Sequence, residues 1–129
     1  MRAFGWLIGA VVLVAAQAAV AVENRLERSL QMLAPEDRLE QLCDYTAMAS
    51  IRKDNENFRP DRAVAKASEE PVILEHTIEA KGGAFRSHGK WYALAFTCTA
   101  TPDHMAVVSF RYTIGAEIPE ANWASDGLW

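Results

Sequence analysis

The sequence GAFRSHGKWYALAFTC (residues 83–98) contains the signal that decides the fold, a β-hairpin. Two runs of strand-forming residues flank His88-Gly89, a two-residue loop in which glycine readily supplies a positive φ. This loop pairs Arg86 with Trp91. Because side chains alternate along a strand, one face of the hairpin is expected to be apolar and the other to carry Arg86 and Trp91. The apolar face comprises Phe85, Tyr92, Leu94, Phe96 and Cys98.

Two further strands are predicted on either side of this hairpin. Residues 72–80 alternate between two faces, and Lys81-Gly82-Gly83 is expected to end that strand. Residues 106–114 form the last strand, after a turn of five residues, 101–105. To bury its apolar face, this strand needs pairs such as Cys98 with Val108 and Phe96 with Phe110, because a shift of one residue would turn every side chain over.

The amino-terminal half has helical periodicity instead. Residues 22–32 and residues 35–52 are predicted to be helices, the second beginning at Pro35. Residues 53–62 are expected to form a loop, residues 63–68 are too short to assign, and residues 119–121 are expected to form one helical turn. The predicted fold is α+β, with amino-terminal helices packed on one face of an antiparallel sheet of three to five strands.

The first residues are typical of a secretory signal peptide. Met1-Arg2-Ala3 is a positively charged start, an apolar run follows, and Ala16-Gln17-Ala18 offers a cleavage site. We expect a signal peptide over residues 1–18, with cleavage after Ala21 as an alternative, and a single domain over residues 22–129. Residues 4–22 could instead serve as an uncleaved inner-membrane anchor, with the domain facing the periplasm.

Secretion would place the domain in the periplasm or outside the cell, where cysteines oxidise. Cys43 lies on the apolar stripe of the second helix and Cys98 lies on the apolar face of the hairpin. A disulfide between them is therefore expected to brace the helix on that face of the sheet.

Charge narrows the range of partners. The net charge is −4, and removal of Arg2 with the signal leaves 12 basic and 17 acidic side chains, a net charge of −5. This balance argues against nucleic acid and against an anionic membrane surface as partners. Contact with a membrane is expected only through the amino-terminal segment, if it is not cleaved.

Several blocks of the sequence resemble a known family. The blocks are RLEQLCDYTAM (38–48), FRPDR (58–62), GAFRSHGKWYALAFTC (83–98) and TPDHMAVVSFRYTIGAEIPEANW (101–123). They are similar to a family of small secreted bacterial proteins known only as a domain of unknown function, and the resemblance covers residues 33–129. It implies the Gram-negative cell envelope and both cysteine positions, and it implies no activity.

The residues indicate no catalytic, cofactor or metal site. Three histidines, His76, His88 and His104, have no ligand spacing, and cysteines that form a disulfide cannot act as nucleophiles. Glu75 and Glu79 share a strand face but lie about 13 Å apart, too far for the paired-carboxylate chemistry of glycosidases.

One group of side chains is a candidate binding surface. It combines cationic groups with an aromatic ring, namely Arg59, Arg62, Arg86, His88 and Trp91. The alternative is that the carboxy-terminal segment covers Trp91, with Trp123 or Trp129 as the lid. We expect a non-catalytic envelope protein that binds a partner protein or peptide. A small envelope hydrolase with an unplaced Glu or His site and a purely structural accessory are the alternatives, and the oligomeric state is left open.

Overall fold

The computed structural model describes residues 25–129, which fall into two compact units divided between residues 33 and 34. In the first unit, residues 25–31 are helical, within the helix predicted over residues 22–32. The expected signal peptide, its cleavage sites and the alternative anchor lie outside the described residues. Within the described range, no helix has the length and apolar character needed to span a membrane.

The second unit begins with helix α1, Pro35–Asp54. It starts at the proline as predicted, with acidic residues in its first turn and basic residues in its last turn, and both placements favour the helix dipole. The helix runs two residues beyond the predicted end. Its buried stripe consists of Leu39, Leu42, Cys43, Asp44, Ala47 and Ile51.

Five antiparallel strands follow: β1 (Pro60–Val64), β2 (Val72–Leu74), β3 (Thr77–Ser87), β4 (Lys90–Ala100) and β5 (Val107–Glu117). The main path of the sheet is β1-β3-β4-β5, and β2 pairs with the other end of β3. A short 3-10 helix, Glu120–Asn122, follows β5 at the predicted helical turn. The α+β class and the strand number agree with the sequence-based prediction.

The β3–β4 hairpin has the predicted register. Arg86 lies opposite Trp91, and Phe85 lies opposite Tyr92. His88 and Gly89 both have positive φ angles, 52° and 74°, so the turn is of the type that matches the twist of its strands.

The β4–β5 pairing keeps the predicted face but not the predicted partners. Cys98 lies opposite Phe110 and Phe96 opposite Tyr112, two residues further along β5 than predicted. The loop has six residues, and a bulge between Thr99 and Ala100 restores the alternation. The predicted five-residue loop is therefore wrong, and Val108, which was assigned to the apolar face, lies at this irregularity and is exposed.

The edge of the sheet beside β3 differs most from expectation. The predicted strand over residues 72–80 is divided by a turn at Glu75 and His76, and β3 continues through Lys81-Gly82-Gly83 with a bulge instead of ending there. Gly82 is required at this point, because a Cβ there would lie 2.6 Å from the Cβ of Glu69. Strand β1 was missed, since its charged sequence reads as a loop.

Helix α1 packs on one face of the sheet and is linked to it covalently. The Cys43–Cys98 disulfide is formed, with the Cα atoms 6.0 Å apart, and both cysteines are fully buried. Phe58 packs edge-on against Phe85 and Tyr92 on the same side. The Tyr112 hydroxyl donates a hydrogen bond to Asp54 at 2.7 Å and ties β5 to the end of the helix. The opposite face of the sheet is left for the carboxy-terminal segment.

Candidate binding surface

Trp91 lies under the carboxy-terminal segment. Its side chain is 0% exposed and packs with Ala84 and Leu128, and Ile118 and Trp123 contact the same cluster. The indole N–H donates a hydrogen bond of 2.9 Å to the carbonyl oxygen of Trp129. The structure thus decides the alternative left open by the sequence: Trp91 is a core residue of this face, and it is not available to a partner.

Arg86 is held in place above this core. Its Nε donates a hydrogen bond of 3.0 Å to Oδ1 of Asp61, and one Nη donates a hydrogen bond of 3.0 Å to Oδ2. The guanidinium also lies 5.8 Å from the centre of the Trp91 ring, the cation–π contact expected from the sequence. The hydrogen bond from Arg86 holds the pKa of Asp61 below its ordinary value, and the same contact raises the pKa of Arg86.

The exposed aromatic ring of the surface is Trp129, whose side chain is 57% exposed. The guanidinium carbon of Arg62 lies 5.2 Å from the centre of its ring, and that of Arg86 lies 6.0 Å away. Arg62 and Arg86 are neighbours because they lie opposite each other in the β1–β3 pair. Two cations therefore flank one indole at the surface.

Arg59 and His88 lie next to this region, and Arg59 adds a further cation there. Arg59 precedes β1, and its backbone N–H donates a hydrogen bond of 2.9 Å to the Ser87 hydroxyl, next to the hairpin turn that carries His88. Both side chains are exposed. Within residues 25–129, neither Arg59 nor Arg62 forms an ion pair, although the charge of Arg62 contributes to the lowered pKa of Asp61.

The five predicted residues therefore separate into two groups. In the first group, Arg62 lies on β1, Arg59 directly precedes it, and Arg86 and His88 lie on the β3–β4 hairpin. Trp91 alone is buried beneath the surface. Asp61, the partner of Arg86, is not among the predicted residues, and Trp129 was predicted only as an alternative lid over Trp91. No local signal marks Asp61, because the charged sequence FRPDR (58–62) reads as a loop, and only the pairing of β1 with β3 brings the carboxylate beside Arg86.

Two histidines form a second polar cluster at the β4–β5 loop. The carbonyl oxygen of Pro35 accepts a hydrogen bond of 2.6 Å from Nδ1 of His104. His104 Nε2 lies 2.9 Å from His76 Nδ1, which donates to it when both rings are neutral. This arrangement fastens the loop to the start of α1. Among residues 25–129, no group of three or more His, Cys, Asp or Glu side chains could hold a metal ion.

A shallow, open depression lies on the sheet face opposite α1. Its polar lining consists of Glu79, Lys81, Thr97, Arg111 and Thr113. The depression is broad and open to solvent, so it offers a surface for contact more than an enclosure for a small substrate.

Asp44 is the one strongly perturbed acid among the described residues. It is 9% exposed, and its Oδ1 has no hydrogen-bond partner. Burial, assisted by the neighbouring charge of Glu40, raises the pKa of Asp44 from 3.8 to about 8. The carboxyl is therefore protonated in the folded protein at neutral pH and ionised in the unfolded chain.

Replacing Asp44 with asparagine is expected to stabilise the domain at pH 7 by up to about 4 kcal/mol, less the cost of burying the amide, because the unfolded state no longer gains from ionisation. The folded-state pKa is raised, so the contribution of Asp44 to stability falls as pH rises from about 4 to about 8. Urea unfolding of the wild type and the variant at pH 5, 7 and 8 measures the free energy of unfolding and its dependence on pH. The difference between the variant and the wild type should grow with pH, whereas Asp37→Asn, at an exposed position on the same helix, should change little. A difference independent of pH would contradict this assignment.

The geometry defines a class of protein: an α+β domain in which a helix is linked by a disulfide to one face of an antiparallel sheet, while a carboxy-terminal segment covers part of the other. Residues 30–128 match the family model of the Domain of Unknown Function DUF930, and the chain belongs to this family. No curated protein and no solved structure is significantly similar to the chain. Disulfides of this kind are typical of domains outside the cytoplasm.

Proposed function

We propose that this domain is a non-catalytic protein of the cell envelope that binds an anionic segment of a partner protein or peptide. The binding surface consists of Arg59, Arg62, Arg86, His88 and Trp129, and we refer to it as the Arg–Trp129 surface. The observation that carries the proposal is the exposed indole of Trp129 with two guanidinium groups close to its ring, at 5.2 and 6.0 Å from the ring centre.

The charges of this surface favour an anionic ligand. Asp61 engages Arg86 through both carboxylate oxygens, but Arg62 keeps its hydrogen-bond donors for a ligand. A guanidinium binds carboxylates in a bidentate manner, and it retains its donors while it lies against an aromatic ring. Tryptophan and arginine are also the residues most enriched at the energetically dominant positions of protein interfaces.

The support beneath the surface is rigid. Trp91, Leu128 and Trp123 fix the carboxy-terminal segment, and the hydrogen bond from Trp91 fixes the backbone of Trp129 itself. The exposed ring is therefore placed before a ligand arrives, which reduces the entropy lost on binding.

Substitutions on this surface are expected to separate binding from stability. We expect Arg62→Glu and Trp129→Ala to weaken binding of a labelled acidic peptide, Glu-Asp-Phe-Asp-Glu, at least tenfold by fluorescence anisotropy. Trp129→Ala keeps the backbone carbonyl that accepts the hydrogen bond from Trp91, so its thermal melt should change little. The same variants should lose any partner that wild type cross-links in envelope extract.

The matched control is Arg111→Glu, an exposed arginine on β5. It makes the same change in net charge at a distant strand and should bind the peptide like the wild type. Equal weakening by Arg62→Glu and Arg111→Glu would reduce the effect to overall charge and refute a specific surface.

The envelope location proposed here rests on the amino-terminal sequence together with the disulfide. We expect the mature protein to begin at Ala19, after cleavage following Ala18, or at Val22, after cleavage following Ala21. Mass spectrometry of protein extracted from the envelope measures the terminus. An intact Met1 terminus in the membrane fraction would instead support an anchor over residues 4–22.

A further inference from the structure

Strand β2 presents three consecutive apolar side chains to solvent. Val72 and Ile73 are each 53% exposed, and Leu74 is 70% exposed. A short strand that pairs on one side normally buries at least one of its faces, but here both faces are accessible. Burial within the domain therefore does not explain this run of valine, isoleucine and leucine.

One edge of β2 is also open. The strand pairs with residues 77–79 of β3, and within residues 25–129 no other strand pairs with β2. Its outer edge therefore carries backbone N–H and C=O groups that point to solvent. Such an edge is a template for an added strand, with the backbone groups supplying hydrogen bonds and the side chains supplying apolar contacts.

Acidic residues surround this edge. Glu70 forms an ion pair with Lys66, and Glu79 lies 3.8 Å from Lys81. Glu69, before the strand, and Glu75, directly after it, have no ion pair within the described residues. All four carboxylates are exposed. The ends of the apolar strand are therefore negatively charged.

We propose that β2 binds, by strand addition, an extended segment of another protein that has an apolar centre and lysine or arginine at its ends. The apolar centre would cover Val72, Ile73 and Leu74, and the basic ends would meet Glu69 and Glu75. Opposite charges across a strand pair are favourable, and like charges are not.

The same charges disfavour a second copy of this chain. Antiparallel pairing of two β2 strands about Ile73 would place Glu75 of one copy opposite Pro71 of the other, next to its Glu70, and would do so twice. A membrane rich in anionic lipid is disfavoured for the same reason. A partner segment with basic ends would instead neutralise the carboxylates at the ends of β2.

This surface is distinct from the Arg–Trp129 surface. It has the opposite charge, it is formed by another strand, and neither proposal depends on the other. Glu75 has a φ of 52°, a backbone conformation that residues other than glycine rarely adopt. It lies in the turn that connects β2 to β3.

The test uses two labelled peptides of the same apolar centre. One is Lys-Arg-Val-Ile-Val-Arg-Lys and the other, with reversed charges, is Glu-Asp-Val-Ile-Val-Asp-Glu. The full chain is used with Arg62→Glu in place, so that the Arg–Trp129 surface does not bind the acidic peptide. By fluorescence anisotropy at low salt, it should bind the basic peptide at least tenfold more tightly than the acidic one, and added salt should reduce the difference. On addition of the basic peptide, the largest amide shifts in NMR spectra should lie at residues 72–74.

Ile73→Lys and Glu75→Lys should each weaken binding of the basic peptide at least fivefold. The matched control is Val108→Lys, which adds the same charge at an apolar side chain of β5 that is 67% exposed, and it should bind like the wild type. The proposal is overturned if the basic peptide does not bind, if shifts map to β5, or if Val108→Lys weakens binding equally. Concentration-dependent dimerisation through residues 72–74, or binding of phosphatidylglycerol vesicles that Ile73→Lys abolishes, would also overturn it.

Discussion

Replacing Trp91 with alanine is expected to lower the free energy of unfolding by about 3–5 kcal/mol, the usual cost of removing a large buried aromatic side chain. The indole is the largest fully buried side chain among the described residues, and it lies between the sheet and the carboxy-terminal segment. Its loss leaves a cavity next to Leu128 and removes the hydrogen bond to the backbone oxygen of Trp129. Urea unfolding of the two proteins measures the difference.

Two further variants identify the source of this effect. Trp91→Phe keeps an aromatic ring but removes the N–H, so it should cost about 1–3 kcal/mol from the unpaired carbonyl and the reduced volume. Trp129→Ala removes an exposed ring and should change stability by less than about 0.5 kcal/mol. If Trp91→Ala left the unfolding midpoint unchanged, the carboxy-terminal segment would not be packed on this face in solution.

The parts of the fold that could be predicted from the sequence are those fixed by local chemistry. The His88-Gly89 turn sets the β3–β4 register without reference to the rest of the chain, and Pro35 sets the start of α1. The disulfide followed from two cysteines on apolar stripes, once those two elements were assigned correctly.

The parts that were mispredicted depend on contacts distant in the sequence. Strand β1 is charged, and it becomes a strand because its backbone pairs with residues 84–87. The bulge at Gly82 lies in Lys81-Gly82-Gly83, whose glycines were interpreted as the end of a strand, and it accommodates the close approach of Glu69. The bulge at the end of β4 has no comparable local signal. The β4–β5 loop is positioned by His104 and its bond to Pro35, 69 residues earlier in the chain.

In the candidate site, too, the features set by local sequence could be predicted and those set by distant contacts could not. Parity along β4 placed Trp91 opposite the disulfide face, and the cross-strand pair placed Arg86 beside it. Whether Trp91 would be covered depended on where eleven residues after Ile118 fold back, which strand periodicity does not encode. The exposed ring of the surface is for that reason Trp129 and not Trp91.

Removing the disulfide by the double substitution Cys43→Ala and Cys98→Ala is expected to lower the free energy of unfolding by about 4 kcal/mol. The two cysteines are 55 residues apart, and the crosslink restricts the unfolded chain over that whole length. Both side chains are also fully buried between α1 and β4, so the bond joins the two layers of the core. Chemical unfolding under oxidising conditions, compared with the wild type, measures the loss.

Restriction of the unfolded chain by the disulfide also predicts how the reduced wild-type protein should unfold. If the stabilisation comes from restricting the unfolded chain, reduced wild-type protein should unfold at nearly the same denaturant concentration as the double alanine variant, because neither has the crosslink. Reduction of the native protein should be slow and should accelerate with urea, since the sulfur atoms are inaccessible until the helix leaves the sheet. A loss below about 1 kcal/mol in the double variant, together with rapid reduction of the native state, would show that α1 is held on the sheet by its apolar stripe alone.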